Sequence, residues 1–309
     1  MRRQSAVTKH NIVVLDDCFA PCGQFDFDYV ITYYSSTEPH QLPARIKDAT
    51  IIIVTDTRVT REGILAAQRL QLVAANGTGT DRIDKTTLRE LGIGLCNLPA
   101  QTTESVAEHA LALYYGLRRN LLEMHAITMA GKAWATCGNT QMRFQRSKPP
   151  PRTNAEETMV VLGYGTLGAQ ETRPGRLPFP QCLKLGTIFV IAAPLNETTR
   201  GMMGTSELAA MDPTSLVINI GRGGIIDELA LAHSLRKGQI GGAATDVYEI
   251  EPATTANSPL LDPTIPNLLL SPHTAWYSKR SIDNVLLAQK LNLEAFVAGN
   301  MTNVVIAPR

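Results

Sequence analysis

The sequence has almost no net charge: 29 Lys and Arg against 28 Asp and Glu leave +1 over 309 residues. That balance gives no electrostatic reason to expect a nucleic-acid or anionic-membrane partner. Long apolar runs are also missing, and no uninterrupted stretch approaches the ~18 residues of a membrane-crossing helix. The start, MRRQ, passes through polar residues into a strand pattern without the apolar centre of a signal peptide. Cysteine is scarce and odd in number: Cys18, Cys22, Cys96, Cys137 and Cys182. Cys18 and Cys22 have the look of half a metal site, yet no second pair or nearby histidine completes it, so free thiols and no metal are expected. Free thiols suit a reducing compartment, and the cytoplasm is the expected location. A chain that is 44% hydrophobic and 18% charged is a soluble globular one, long enough for one large domain or two ordinary ones.

What is present is a rhythm. NIVVL (11–15), ATIIIVT (49–55), QLVAA (71–75) and IGLCN (93–97) are continuous β-rich runs, suited to strands buried on both faces. Between them, TREGILAAQRL and DKTTLRELG read as helices, opened by Thr60 and Asp84 as caps. A long helical pattern then runs from Thr103, its expected cap, to about His125, with Ala107, Ala110, Leu111, Leu113 and Leu117 at helical spacing. Residues 131–157 are polar, basic and proline-rich, which predicts an extended loop. A second series of strands is expected at 158–162, 187–193, 215–220, 241–247 and 267–271, followed by a helix over about 278–298 and a short tail. Alternation of this kind predicts an α/β protein with parallel sheets covered by helices on both faces.

Four stretches fall at the C-terminal ends of expected strands, where open α/β sheets place their ligands. Gly163, Gly165 and Gly168 form G-x-G-x-x-G, the spacing of a dinucleotide-binding turn, although an ordinary strand–turn satisfies it as well. In INIGRGGIIDELAL, Arg222 sits among glycines as a natural fork for a substrate carboxylate, and Asp227 and Glu228 start a helix where carboxylates suit the dipole. A surface arginine is the plainer alternative. AATDVYEIEP places Asp246 at a strand end and Glu251 just beyond, while LLLSPHTAW brings out His273. Loop carboxylates without a common task and an exposed histidine are the bland readings. Convergence of Arg222, Glu251 and His273 would instead make a proton donor, its orienting carboxylate and a carbonyl-polarising cation.

These blocks, with GTGTDRIDKTTLRELGIGLCNLPAQTTESVAEHALAL and APLNETTRGMMGTSELAAMDPTSLVINIGRGGIIDELAL, resemble the D-isomer-specific 2-hydroxyacid dehydrogenase family, of glyoxylate/hydroxypyruvate-reductase type. The resemblance runs from about Ile51 to the C-terminus with one gap. It implies two Rossmann-like, doubly wound parallel-sheet domains with a cleft between them. Residues 1–102 with 279–309 would form the substrate domain, and 103–278 the nucleotide-binding domain. It implies hydride transfer between NAD or NADP and a small 2-oxo or 2-hydroxy acid, with Arg222, Glu251 and His273 as the catalytic set. Thr78 and Gly79 would receive the substrate carboxylate together with Arg222. Gly163, Gly165, Thr166, Leu167 and Gly168 would face the pyrophosphate; Pro194, Ile220, Asp246 and Trp276 would surround the nicotinamide. A homodimer formed through the nucleotide domain and the helix at 103–125 is implied too.

The gap is the departure. Only 18 residues separate Gly168 from Thr187, where a helix, a strand and another helix need roughly 35–45. Pro174, Pro178 and Pro180 oppose the first helix. The strand whose terminal acid would hold the adenosine ribose is missing, and no Asp or Glu occurs between Glu171 and Glu197. Arg173 and Arg176 could bind a 2′-phosphate or be solvated loop charges. A non-enzymatic binding protein, like the family's transcriptional corepressors, is therefore the alternative.

Overall fold

All four apolar runs expected as strands in the first hundred residues are strands. The computed structural model describes residues 9–18, 22–132, 135, 150–163 and 177–309. The chain divides into two units, 1–104 with 277–309, and 105–276. The first unit contains β1 (His10–Val14), β2 (Tyr29–Tyr33), α1 (Leu42–Ile46), β3 (Ile51–Val54), α2 (Arg61–Ala66), β4 (Leu72–Ala75), α3 (Lys85–Leu91) and β5 (Gly94–Cys96). The second contains α4 (Thr103–Arg118), which starts at the boundary, then α5 (Leu121–Ala130), β6 (Met159–Leu162), α6 (Phe179–Leu185) and β7 (Ile188–Ile191). It continues through α7 (Thr205–Ala209), β8 (Leu216–Asn219), α8 (Glu228–Arg236), β9 (Gly242–Thr245) and β10 (Leu268–Leu270). The chain then returns to the first unit with α9 (Lys279–Val297) and β11 (Val304–Ile306).

The first unit's sheet has the order β11-β5-β4-β3-β1-β2 and is parallel except for β11 against β5. Its central strands β3 and β4 are apolar and buried throughout because successive side chains enter different cores. Val13, Ile52, Val54 and Val73 pack with Leu42, Ile64 and Leu88 of the helices on one face. Ile12, Val14, Ile51, Ile53 and Leu72 pack with Phe25 and Leu293 on the other. Thr60 caps α2 by accepting the Gly63 N–H, and Asp84 caps α3 by accepting that of Thr87.

In the second unit five parallel strands run β10-β9-β8-β7-β6. Phe189, Ile191, Val217 and Ala243 meet Leu183, Leu208, Leu231 and Leu235 on one face. Ile188, Val190, Leu216, Ile218 and Ala244 meet Ala110, Leu113, Tyr114 and Leu117 of α4 on the other. Arg118, at the end of α4, pairs with Glu157 just ahead of β6 at 2.5 Å, both side chains nearly buried.

Several expectations need correction. The pattern over 103–125 is two helices, broken where Asn120 takes a left-handed conformation, φ 49°. Thr103 is the first helical residue rather than the cap, and its hydroxyl donates to the Ala100 carbonyl at 3.3 Å. Ala107 and Leu111 point outward, and Tyr114 takes the core position instead. The tail includes a strand, β11. Of the expected loop, 131–132, 135 and 150–157 are described; 132 and 135 are helical, and Asn154–Glu156 form a 3-10 turn. Between Leu177 and β7 the chain forms only α6, which tolerates Pro178 and Pro180 because they occupy its cap and first turn, where no helical N–H bond is lost. Among the described residues no strand pairs with β6 on its outer side, and Met159 and Val161 are 45% and 47% exposed there. Cys18, Cys22, Cys96 and Cys182 are free thiols.

Candidate active site

Two segments of the second unit are shaped by backbone crowding. β8 ends at Asn219, which is buried; its side-chain oxygen accepts the Gly221 N–H at 3.1 Å, and its amide donates to the Arg222 carbonyl at 2.9 Å. One side chain thereby fixes the turn that carries Arg222. Gly223 follows, and a β-carbon there would lie 1.9 Å from the Tyr248 carbonyl carbon and oxygen. Only glycine lets the β8 turn lie against the segment leaving β9. Arg222 itself is half-buried and donates from Nη1 to the Gly221 carbonyl at 2.8 Å.

Asp227 caps α8, accepting the Ala230 N–H at 3.0 Å. Glu228 does something the sequence did not indicate. Its buried carboxylate accepts from the Glu249 N–H at 2.8 Å and from the Ser258 hydroxyl at 2.5 Å, anchoring the chain beyond β9.

Beyond β9, the Tyr248 N–H donates to Glu251 Oε1 at 2.9 Å, and Glu251 Oε2 lies 2.8 Å from His273 Nδ1. A carboxylate only accepts, so Nδ1 carries the proton and Nε2 is left for other partners. The His273 backbone is in the left-handed region, φ 55°, an unfavourable place for a β-carbon-bearing residue. The turn is held there by Asp246, whose carboxylate accepts the Thr274 and Ala275 N–H groups at 2.9 and 2.8 Å and the Ser271 hydroxyl at 2.6 Å. Tyr248 adds a bond from its hydroxyl to the Ser271 carbonyl at 3.1 Å. Burial first, then the charges of Asp246, Glu228 and Glu251, push the Tyr248 phenol up to about 12, so it remains a donor throughout the neutral range.

The structure thus joins Glu251 and His273 directly. Arg222 stands at the same, C-terminal end of the parallel sheet, three residues past β8, with β9 between its strand and that of His273. Pro194 and Ile220 follow β7 and β8 at that end, Asp246 follows β9 with its side chain 2% exposed, and Trp276 is half-buried just past the His273 turn. Gly163 closes β6 with φ 109°, and a β-carbon would lie 2.4 Å from the Ala193 nitrogen, so the first glycine is demanded by close approach to the end of β7. Gly165, Thr166, Leu167 and Gly168 lie outside the described residues. Thr78 and Gly79 belong to the first unit, in the loop after β4, where Asn97 donates to the Thr78 carbonyl at 2.8 Å.

Sequence reasoning placed Glu228 only at a helix start, and it missed Tyr248, Ser271 and His109, which lies 2.9 Å from the Ser271 hydroxyl. Tyr248 and Ser271 stood inside the blocks already singled out. His109 lies on a helix and carries no local signal.

Residues 171–275 match the sequence model of the D-isomer specific 2-hydroxyacid dehydrogenase, NAD binding domain. A glycerate dehydrogenase from Methylorubrum extorquens is 32% identical over 308 aligned positions, covering 93% of this chain and 96% of that protein. The chain belongs to this family of dehydrogenases. A glyoxylate reductase from Aeropyrum pernix is 30% identical over 287 positions, covering 84% of this chain and 82% of that protein. The fold is that of an NADPH-dependent glyoxylate/hydroxypyruvate reductase from Sinorhizobium meliloti, with TM-score 0.77 at 23% identity, covering 97% of this chain and 98% of that one. Family membership accounts for the two Rossmann-like units.

Proposed function

We propose that this family member is an NAD(P)-dependent oxidoreductase acting on a small 2-oxo or 2-hydroxy acid of glyoxylate or hydroxypyruvate type. The observation that carries the reading is the 2.8 Å contact between Glu251 and His273 at the C-terminal end of the parallel sheet. A nicotinamide, when bound, supplies the hydride that reaches the substrate's C2 carbon. His273 holds at Nε2 the proton that passes to the carbonyl oxygen, and Glu251 fixes the orientation of the ring through Nδ1. Arg222 binds the substrate carboxylate and polarises the adjacent carbonyl.

The described residues suit the nicotinamide half of the cofactor, with Gly163 cleared for close backbone approach and Pro194, Ile220 and Trp276 ending or following the strands. For the adenosine half, α6 alone is described between Leu177 and β7, and neither it nor the residues beside it include an acid. That shortening favours a second reading, a binding protein on the family's fold that has lost turnover. The free thiols support a cytoplasmic setting. Leu111 and Tyr115 on α4 and Leu121 and Leu122 on α5, all exposed, support pairing with a second copy.

Replacing His273 by Gln distinguishes the readings. The expected result is turnover of hydroxypyruvate or glyoxylate with NADH or NADPH by the unaltered protein, lowered at least about 10²-fold in H273Q. Equal turnover by the two proteins would remove His273 from the mechanism.

A further inference from the structure

Asp246 is a carboxylate with 2% of its side chain exposed, and such a charge is tolerated only when its oxygens are fully engaged. Two of its bonds come from the Thr274 and Ala275 amides, and a third, at 2.6 Å, from the Ser271 hydroxyl. That hydroxyl has a single proton, and the carboxylate takes it. Toward its other neighbour Ser271 can therefore only accept. The other neighbour is His109 Nε2 at 2.9 Å, so His109 carries a hydrogen on Nε2 and donates it. The same nitrogen is 3.7 Å from Asp246 Oδ1. One helical turn earlier on α4, the Ser105 hydroxyl donates to the Ala275 carbonyl at 2.8 Å.

A single face of α4 thus grips the turn on which His273 sits in the left-handed backbone region. We propose that His109 is a positioning residue for His273, acting through Ser271 and Asp246 to hold the turn that aims the imidazole. The proposal rests on His273 being the proton donor, but its structural content does not depend on turnover. Removing the Nε2 donor leaves the Ser271 lone pair and the Asp246 charge short of a partner, and the Thr274–Ala275 amides relax with them. His273 then leaves its alignment with Glu251.

The test uses the full chain, with ¹⁵N-edited NMR of the histidine rings in the cofactor-free protein and steady-state kinetics alongside. His109→Ala and Ser271→Ala should each shift the His273 Nδ1–H signal and speed its exchange with water. His109→Gln, which restores an N–H donor, should return both toward their starting values. With hydroxypyruvate, His109→Ala should lower kcat about ten-fold or more while KM changes less than about twofold, since a misplaced proton donor affects the chemical step. Unchanged His273 signals in a folded His109→Ala protein overturn the proposal. So does failure of His109→Gln to restore them. If the unaltered protein shows no turnover, the proposed function fails while the ring signals still decide the role of His109.

Discussion

At Gly223 one missing atom decides whether the site exists. A β-carbon would stand 1.9 Å from the Tyr248 carbonyl, a backbone contact that no rotamer change relieves. Gly223→Ala should therefore displace the Tyr248–Glu251 segment, lower stability by about 1–3 kcal/mol and weaken the Glu251–His273 bond. Gly23→Ala, where nothing lies within 4 Å of the added carbon, should fall within about 0.5 kcal/mol of the unaltered protein in the same thermal unfolding experiment. Equal costs at the two sites would show that the close approach is not a constraint. Legibility at this scale followed chemistry. Arg222, Glu251 and His273 stood out because their types and their places after strand patterns suit hydride chemistry, and the structure joins Glu251 to His273. Ser271 and His109 escaped because their importance lies in a contact between residues 162 positions apart.

Elements were legible where both faces are buried. β3, β4, β7 and β8 are buried at every position and read as continuous apolar runs. The two strands left out of the sequence reading, β2 and β11, are the two edges of the first unit's sheet. Their half-exposed residues dilute the apolar signal, as in the alternating burial of YVITY. The break at Asn120 was hidden for another reason: a single left-handed residue leaves helical periodicity intact on either side. In the second unit, β6 is an edge strand among the described residues, with Met159 and Val161 exposed, and an exposed parallel edge invites pairing with another chain. Val161→Lys should reduce light scattering of concentrated protein while leaving the thermal midpoint nearly unchanged. Scattering equal to that of the unaltered chain would mean this edge does not drive association.

For the molecule as a whole, the α/β class with parallel sheets was readable from rhythm, and the family, with the two domains it implies, from a few motif blocks. The shortening between the glycine turn and β7 was readable as a count of residues. The helix α6 within that segment was not, because it uses prolines at its start that a composition-based reading takes as helix breakers. With its Glu251–His273 pair intact and its nucleotide unit shortened, this family member should still bind a nicotinamide dinucleotide. Titration of the purified, folded protein with NADH and NADPH, followed by nucleotide fluorescence, decides whether it does. The expected result is saturable micromolar binding of one of the two nucleotides, and at 100 times the dissociation constant a stabilisation of about 2.7 kcal/mol in unfolding. No saturable signal up to millimolar nucleotide would contradict it and leave the binding-protein reading in its place.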